Sequence, residues 1–119
     1  MAGKPEAELA HAQKAMRLDP RHPDFYLVLI GSAYLHMGRY QEAVDSLKGA
    51  VPGDPWTHVG LARAYIRLGR EQDARAEAAE VLRVAPKFSL EVVKKRMPGD
   101  WDAPPDRQVL DDLRQAGLK

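Results

Sequence analysis

The sequence contains no cysteine, and this absence excludes several kinds of chemistry at once. Without a thiol, the chain of 119 residues has no disulfide, no thiolate nucleophile and no thiolate metal ligand. A cysteine-free composition is also compatible with a reducing compartment.

Long hydrophobic runs are missing as well. The longest apolar run, FYLVLI at residues 25–30, is far shorter than the roughly 20 residues that a membrane-spanning helix needs. The first ten residues, MAGKPEAELA, carry no apolar core of signal-peptide length. The sequence therefore predicts no membrane association and, by default, a cytoplasmic protein.

Net charge is almost absent, because 18 Lys and Arg residues balance 17 Asp and Glu residues to give +1. Such a balance does not create the positive field that nucleic-acid binding requires, and the basic stretch VVKKRM at residues 92–97 fills only one turn. We therefore expect no nucleic-acid partner.

Metal-ligand spacing is missing too. The four histidines are scattered, so each is expected at the surface or in a groove: His11, His22, His36 and His58. Ser32 and His36 are one helical turn apart, but no acid is placed to orient the histidine. The sequence thus predicts no metal, no cofactor and no enzymatic activity.

What the sequence does contain is an internal repeat. AYLHMGRYQEA at residues 33–43 returns 31 positions later as AYIRLGREQDA at residues 64–74, with six of the eleven residues identical. A period of this length is typical of repeat architectures, in which each copy buries its apolar face against a neighbour.

Each copy predicts two helices joined at a glycine. Apolar residues at three- and four-residue spacing predict a helix that Asp24 caps and Gly38 ends, followed by a second helix that stops at VPGDP, residues 51–55. Asp54 and Pro55 begin the same pattern again, with Gly69 as its hinge and Pro86 as its end. Residues 5–18 predict one more helix, and nothing predicts a strand.

These positions resemble the tetratricopeptide repeat. The resemblance depends on small residues, aromatic residues and closing prolines that match the family pattern: Gly31 and Ala62, Tyr34 and Tyr65, Ala43 and Ala74, and Pro20, Pro55 and Pro86. It implies an all-α solenoid of antiparallel helix hairpins with a right-handed superhelix, in which Tyr34 and Tyr65 are core residues. It also implies a protein–protein interaction module without catalytic activity.

The resemblance divides the chain, taken as one domain over residues 1–119, into four parts. Residues 5–19 form the second helix of an incomplete repeat, residues 24–53 and 54–86 form two repeats, and residues 87–119 form a C-terminal cap. Within the cap we expect a helix from Leu90 to about Arg96, a last helix starting at Pro105, and Trp101 holding the tail to the last helix pair.

The tail, from KFSLE to LRQAGL, resembles the end of tetratricopeptide segments in bacterial multidomain signalling proteins, notably those led by an adenylate/guanylate cyclase or a winged-helix regulator. This resemblance implies that the chain is a sensory or scaffolding segment of a larger bacterial protein. The incomplete first repeat likewise suggests a fragment of a longer array.

The tetratricopeptide pattern also implies a concave groove lined by the first helix of each pair. The groove residues expected here are Phe25, Val28, Ser32, His36, Trp56, Val59, Arg63 and Arg67. Arg63 and Arg67 share one helix face, and two interpretations stay open: a site for a carboxylate or an acidic segment, or a solvated face paired to a neighbouring acid. Trp56 is either an anchor for a partner or, as we favour, packs against the preceding repeat.

The expected partner is a peptide or acidic segment of another protein in this groove. An alternative is a homodimer in which a second copy completes the first hairpin. A further alternative is regulation of an upstream nucleotide cyclase or transcription regulator, which depends on the resemblance alone.

Overall fold

A computed structural model of the chain describes residues 5–19, 21, 23–50, 55–96, 99–104 and 106–119. These residues form α-helices and connecting turns, with no strand among them, so the predicted all-α class is confirmed. The helices are α1 (Pro5–Leu18), α2 (Pro23–His36), α3 (Tyr40–Lys48), α4 (Pro55–Arg67), α5 (Glu71–Val84), α6 (Leu90–Arg96) and α7 (Asp106–Gln115). In the described ranges, no helix has the length and apolar character needed to cross a bilayer.

Helices that follow each other along the chain pack against each other from α1 to α5. Contacts also link helices that are not consecutive, because both α2 and α7 pack on α4. This sequential pairing is the arrangement that the repeated sequence predicts, because neither copy can bury its apolar face alone.

Both predicted hinges are left-handed glycines. Gly38 has φ +77°, a conformation that costs L-residues energy but not glycine. The N–H of Arg39 donates to the carbonyl of Tyr34 at 2.9 Å, and the N–H of Gly38 donates to that of Leu35 at 3.1 Å, which together form a Schellman motif. Gly69 (φ +76°) repeats the same pair of hydrogen bonds one copy later. The helices therefore end where the sequence predicts.

The core lies between the helix pairs and explains the small residues of the pattern. Tyr65 is buried in this core, and Tyr34 packs against it. A Cβ atom on Gly31 would lie 2.6 Å from Cγ of the fully buried Leu47, and one on Gly60 would lie 3.0 Å from Cδ1 of the same leucine. Glycine at these two positions lets α2 and α4 approach α3.

The start of α2 differs from the prediction. Asp24 does not precede the helix as a cap, because α2 begins at Pro23, whose fixed φ suits a first helical turn. Three other residues that were predicted to begin or end helices lie outside the described residues: Pro20, Asp54 and Pro105.

The tail folds back onto the repeats. The predicted helices at Leu90–Arg96 and near the chain end are confirmed as α6 and α7, and Trp101 between them packs partly buried against the core. After α7, Gly117 (φ +108°) reverses the chain, and the carbonyl of Lys119 accepts a hydrogen bond from the N–H of Leu90 at 3.0 Å. The two tail helices are thereby tied together.

Candidate functional site

The eight predicted groove residues lie on two neighbouring helices at matching positions. Four are on α2 and form what we call the α2 strip: Phe25, Val28, Ser32 and His36. The other four are on α4, each 31 positions later, and form the α4 strip: Trp56, Val59, Arg63 and Arg67. The spacing of three and four residues puts each set on one helix face, and α2 contacts α4 directly.

The α4 strip is occupied by a carboxylate from α7. Asp112 is buried, and its Oδ2 accepts a hydrogen bond from Nε of Arg67 at 3.0 Å while its Oδ1 lies 3.0 Å from Nη2 of the same guanidinium. Nε of Arg63 lies 3.6 Å from Oδ2, which is too far for a hydrogen bond, and this buried nitrogen has no acceptor in the structure. Asp112 thus pairs fully with one arginine and incompletely with the other.

This arrangement leaves a surplus of positive charge on the α4 strip, because two guanidinium groups share one carboxylate. Burial lowers the pKa of Arg63, and the attraction of Asp112 opposes this shift. Arginine stays protonated at any physiological pH. An additional negative charge beside Arg63 and Arg67 would therefore be stabilised.

The other end of the α4 strip is covered by the segment that follows α5. The ring of Trp56 meets that of Phe88 edge-to-face with centroids 5.5 Å apart, and the guanidinium carbon of Arg96 lies 4.8 Å from the Trp56 centroid. Val59 is buried. The aromatic and cation contacts of Trp56 therefore lie in the following segment, whereas the interpretation that we favoured from the sequence placed Trp56 against the preceding repeat.

The α2 strip is open by comparison. Phe25 is 60% exposed, and its ring contact is the neighbouring Tyr26, with centroids 5.4 Å apart. Val28 and Ser32 are partly buried. The side chain of His36 is 52% exposed, and its Nδ1 lies 3.8 Å from Oε2 of Glu8 on α1. Nothing in the described structure covers this face as α7 covers α4.

Two exposed leucines, one on α1 and one on α2, were not part of the predicted site. Leu29, one helical turn after Phe25, is 43% exposed, and Leu18 at the end of α1 is 75% exposed. The sequence indicates that Leu29 shares the helix face of Phe25, because it follows Phe25 by four residues. Leu29 therefore extends the exposed apolar surface of the α2 strip.

Histidine placement corrects one expectation. His58 is buried, and its Nδ1 lies 2.7 Å from Oε2 of Glu77 on α5, so it is a core residue and not a surface or groove residue. His22 lies outside the described residues. In the part of the chain that the structure describes, no three or more His, Asp and Glu side chains come together as a metal site.

A separate cavity of about 440 Å³ lies where α6 meets the chain end, lined by Leu90, Glu91, Lys94, Arg114, Leu118 and Lys119. Lys94 lies 3.5 Å from Glu91, and Arg114 lies 3.2 Å from Asp111, so two of its cations already have partners on their own helices. None of the eight groove residues lines this cavity.

Comparison with known families supports the predicted resemblance. Residues 34–92, which are just under half of the chain, match the family model of the tetratricopeptide repeat. Such repeats are generally protein–protein interaction modules and typically non-catalytic, and no enzyme family was found. A search of curated proteins gave no match. The family match ends at residue 92 and does not address the likeness of the tail to bacterial signalling proteins, which stays a prediction, as do the repeat boundaries.

Proposed function

We propose that the chain is a protein-interaction module whose α2 strip binds a segment of a partner protein. The observation that supports this proposal is the exposure of Phe25, at 60%, in a position whose repeat equivalent, Trp56, is covered by the tail. Burying a phenylalanine side chain contributes about 1.5–3 kcal/mol. Covering Phe25 and Leu29 with one apolar segment would therefore supply a useful part of a binding energy.

The partner segment carries acidic residues in this proposal. Arg67 keeps 26% of its side chain exposed, and it shares Asp112 with Arg63, so the strip beside α2 has positive charge in excess. A charge-assisted hydrogen bond contributes about 1.5–3 kcal/mol, whereas micromolar affinity needs about 8 kcal/mol. The acid alone is insufficient, so a partner must combine it with apolar contacts.

Peptide selection on the intact chain tests this proposal. Peptides selected from a random display library are titrated calorimetrically against the wild type, Phe25→Asp and a matched control, Leu82→Asp, which changes a leucine that is 40% exposed on α5. We expect Phe25→Asp to weaken binding by about tenfold or more, equivalent to about 1.4 kcal/mol, and Leu82→Asp to leave it unchanged. Equal affinities for the wild type and Phe25→Asp would place the binding surface elsewhere.

Homodimerisation is a second candidate, because α1 and α2 together carry three exposed apolar residues. Leu18, Phe25 and Leu29 together offer a surface that a second copy would bury in a two-fold arrangement. Sedimentation equilibrium at high micromolar concentration distinguishes the two candidates. A monomer mass contradicts the dimer, whereas a dimer that Phe25→Asp dissociates would favour it over the peptide site.

The likeness of the tail to bacterial signalling proteins supports a context for this module. In that context the chain is a cytoplasmic segment of a larger bacterial protein and transmits partner binding to an upstream nucleotide cyclase or transcription regulator. The sequence of the parent gene tests this context, since it either encodes such a domain before this segment or does not.

A further inference from the structure

We infer that the segment bound by the α2 strip is an amphipathic helix and that it lies beside α7. This inference rests on the proposed function and makes it more specific, because it names the conformation and side-chain pattern of the partner. Its basis is the equivalence of the two strips, one of which already holds a helix of the same chain.

The two strips differ in how much of them is covered. Phe25 is mostly exposed, whereas Trp56, its equivalent on α4, packs against Phe88 and Arg96. Val28 is partly buried where Val59 is buried. The side chain of His36 is 52% exposed where that of Arg67 is 26% exposed. The α4 strip is less exposed than the α2 strip because the tail covers α4 and leaves α2 open.

The helix on α4 shows which ligand pattern this type of surface accepts. Leu110 and Leu113 of α7 are buried in the core, and Asp112 beside them reaches Arg63 and Arg67. An acid that adjoins Leu113, on the helix face that also carries Val109 and Ala116, therefore satisfies the α4 strip. Since α2 contacts α4 and packed helices lie about 8–10 Å apart, a second helix on α2 continues the α4–α7 interface.

Backbone chemistry favours a helix over an extended segment. The α2 strip offers side chains only, because the backbone groups of α2 are used within that helix. An extended segment on this face would leave its own N–H and C=O groups with water or with Ser32 and His36, whereas a helix satisfies them internally. A helix that reaches from Phe25 to His36 needs about three turns.

The partner helix must complement the side chains of the α2 strip, which differ from those at the equivalent positions of the α4 strip. Phe25 and Leu29 require an apolar residue on the partner at one end. Ser32 and His36 stand where α4 has arginines, so the other end requires a hydrogen-bonding side chain such as a carboxylate or an amide.

The test uses the intact protein and a hydrocarbon-stapled peptide with the sequence of residues 106–119, DRQVLDDLRQAGLK, which carries the α7 pattern. A matched unstapled peptide with proline in place of the exposed Asp111 keeps Asp112 and cannot form a continuous helix. Backbone amide signals of the isotope-labelled protein report the site. We expect the stapled peptide to shift the signals of α2 around Phe25, Ser32 and His36, and the proline peptide to bind at least tenfold more weakly.

Two variants sharpen this test. Phe25→Ala should weaken binding of the stapled peptide several-fold, whereas Val84→Ala, at a 44% exposed position on α5, should not change it. Shifts confined to α4 and α7 would mean that the peptide displaces α7 and would overturn the inference. The inference is equally wrong if the proline peptide binds α2 as well as the stapled one, or if neither binds at millimolar concentration.

The inference and the proposed function fail in different ways. If library-selected peptides depend on Phe25 but bind in an extended conformation, by transferred nuclear Overhauser effects, the function stands and the helix is wrong. If selected peptides bind without any dependence on Phe25, the proposed function itself is wrong.

Discussion

The carboxylate of Asp112 on α7 faces the guanidinium of Arg67 on α4 through two N···O contacts of 3.0 Å, although 45 residues separate them. This pairing fixes the last helix on the α4 strip. The preceding residue, Asp111, is exposed and contacts Arg114 on its own helix at 3.2 Å. Two adjacent aspartates thus have different roles, and this difference can be measured.

Replacing Asp112 by Ala should destabilise the protein by about 3 kcal/mol. The change leaves Arg63 and Arg67 without their shared carboxylate, and removal of one partner from a buried ion pair costs about 3–5 kcal/mol, less where an arginine keeps contact with water. Urea denaturation followed by circular dichroism gives the free energy of unfolding. Asp111→Ala is the matched control and should leave it almost unchanged. If Asp112→Ala lowers the free energy of unfolding as little as Asp111→Ala does, the ion pair with α4 contributes nothing to stability.

Replacing Gly38 or Gly69 by Ala should cost about 1–2 kcal/mol at each position. No atom lies within 4 Å of a Cβ added at either glycine, so the cost is the left-handed backbone alone. Asparagine tolerates this backbone better than alanine and should recover part of the loss. Thermal and urea unfolding of the four variants provide the comparison. If alanine and asparagine are equally tolerated, positive φ is not what selects glycine there.

Replacing Gly31 by Ala should destabilise the core through overpacking, by about 1–3 kcal/mol. The new methyl group would lie 2.6 Å from Cγ of Leu47. Because Leu47→Ala removes the atoms that clash, the double variant should be more stable than the sum of the two single changes predicts, by about 1 kcal/mol. A double-mutant cycle of unfolding free energies measures this coupling. Strict additivity would show that α2 moves away from α3 instead.

Replacing Glu77 by Ala should cost about 1–3 kcal/mol, because it removes the carboxylate that lies 2.7 Å from the ring nitrogen of the buried His58. Glu77→Gln keeps an acceptor and should be milder. Glu80, one turn later and paired with Arg83, is a suitable control, and Glu80→Ala should not shift the urea midpoint. An unchanged midpoint for Glu77→Ala would mean that His58 finds another partner, such as water.

Much of the fold could be predicted because helices and hinges depend on local pattern. The 31-residue repeat, the apolar spacing and the glycines at positions 38 and 69 predicted the helices and their ends. The start of α2 was missed because proline and aspartate both suit a first turn, and spacing alone does not decide which precedes the helix.

Which residues cover the candidate site could not be predicted in the same way. The tail repeats nothing earlier, so its docking on α4 had no template in the sequence. A signal was nevertheless present: Asp112 follows Val109 by three residues and precedes Ala116 by four, which places it on the apolar face of α7. An acid on such a face indicates a buried cationic partner. The pairing of His58 with Glu77 had no comparable signal, since it depends on how α4 and α5 pack.

The two glycine hinges have nearly the same φ and the same hydrogen bonds, so residues 39–69 form a segment whose two ends match. An engineer who inserts a second copy of this segment after Gly69 lengthens the array by one helix pair without designing a new junction. Because α7 would then follow the added α4, the original α4 would display an arginine pair that no aspartate of the chain neutralises, and the lengthened array would be a receptor for acidic helices built from the protein's own parts.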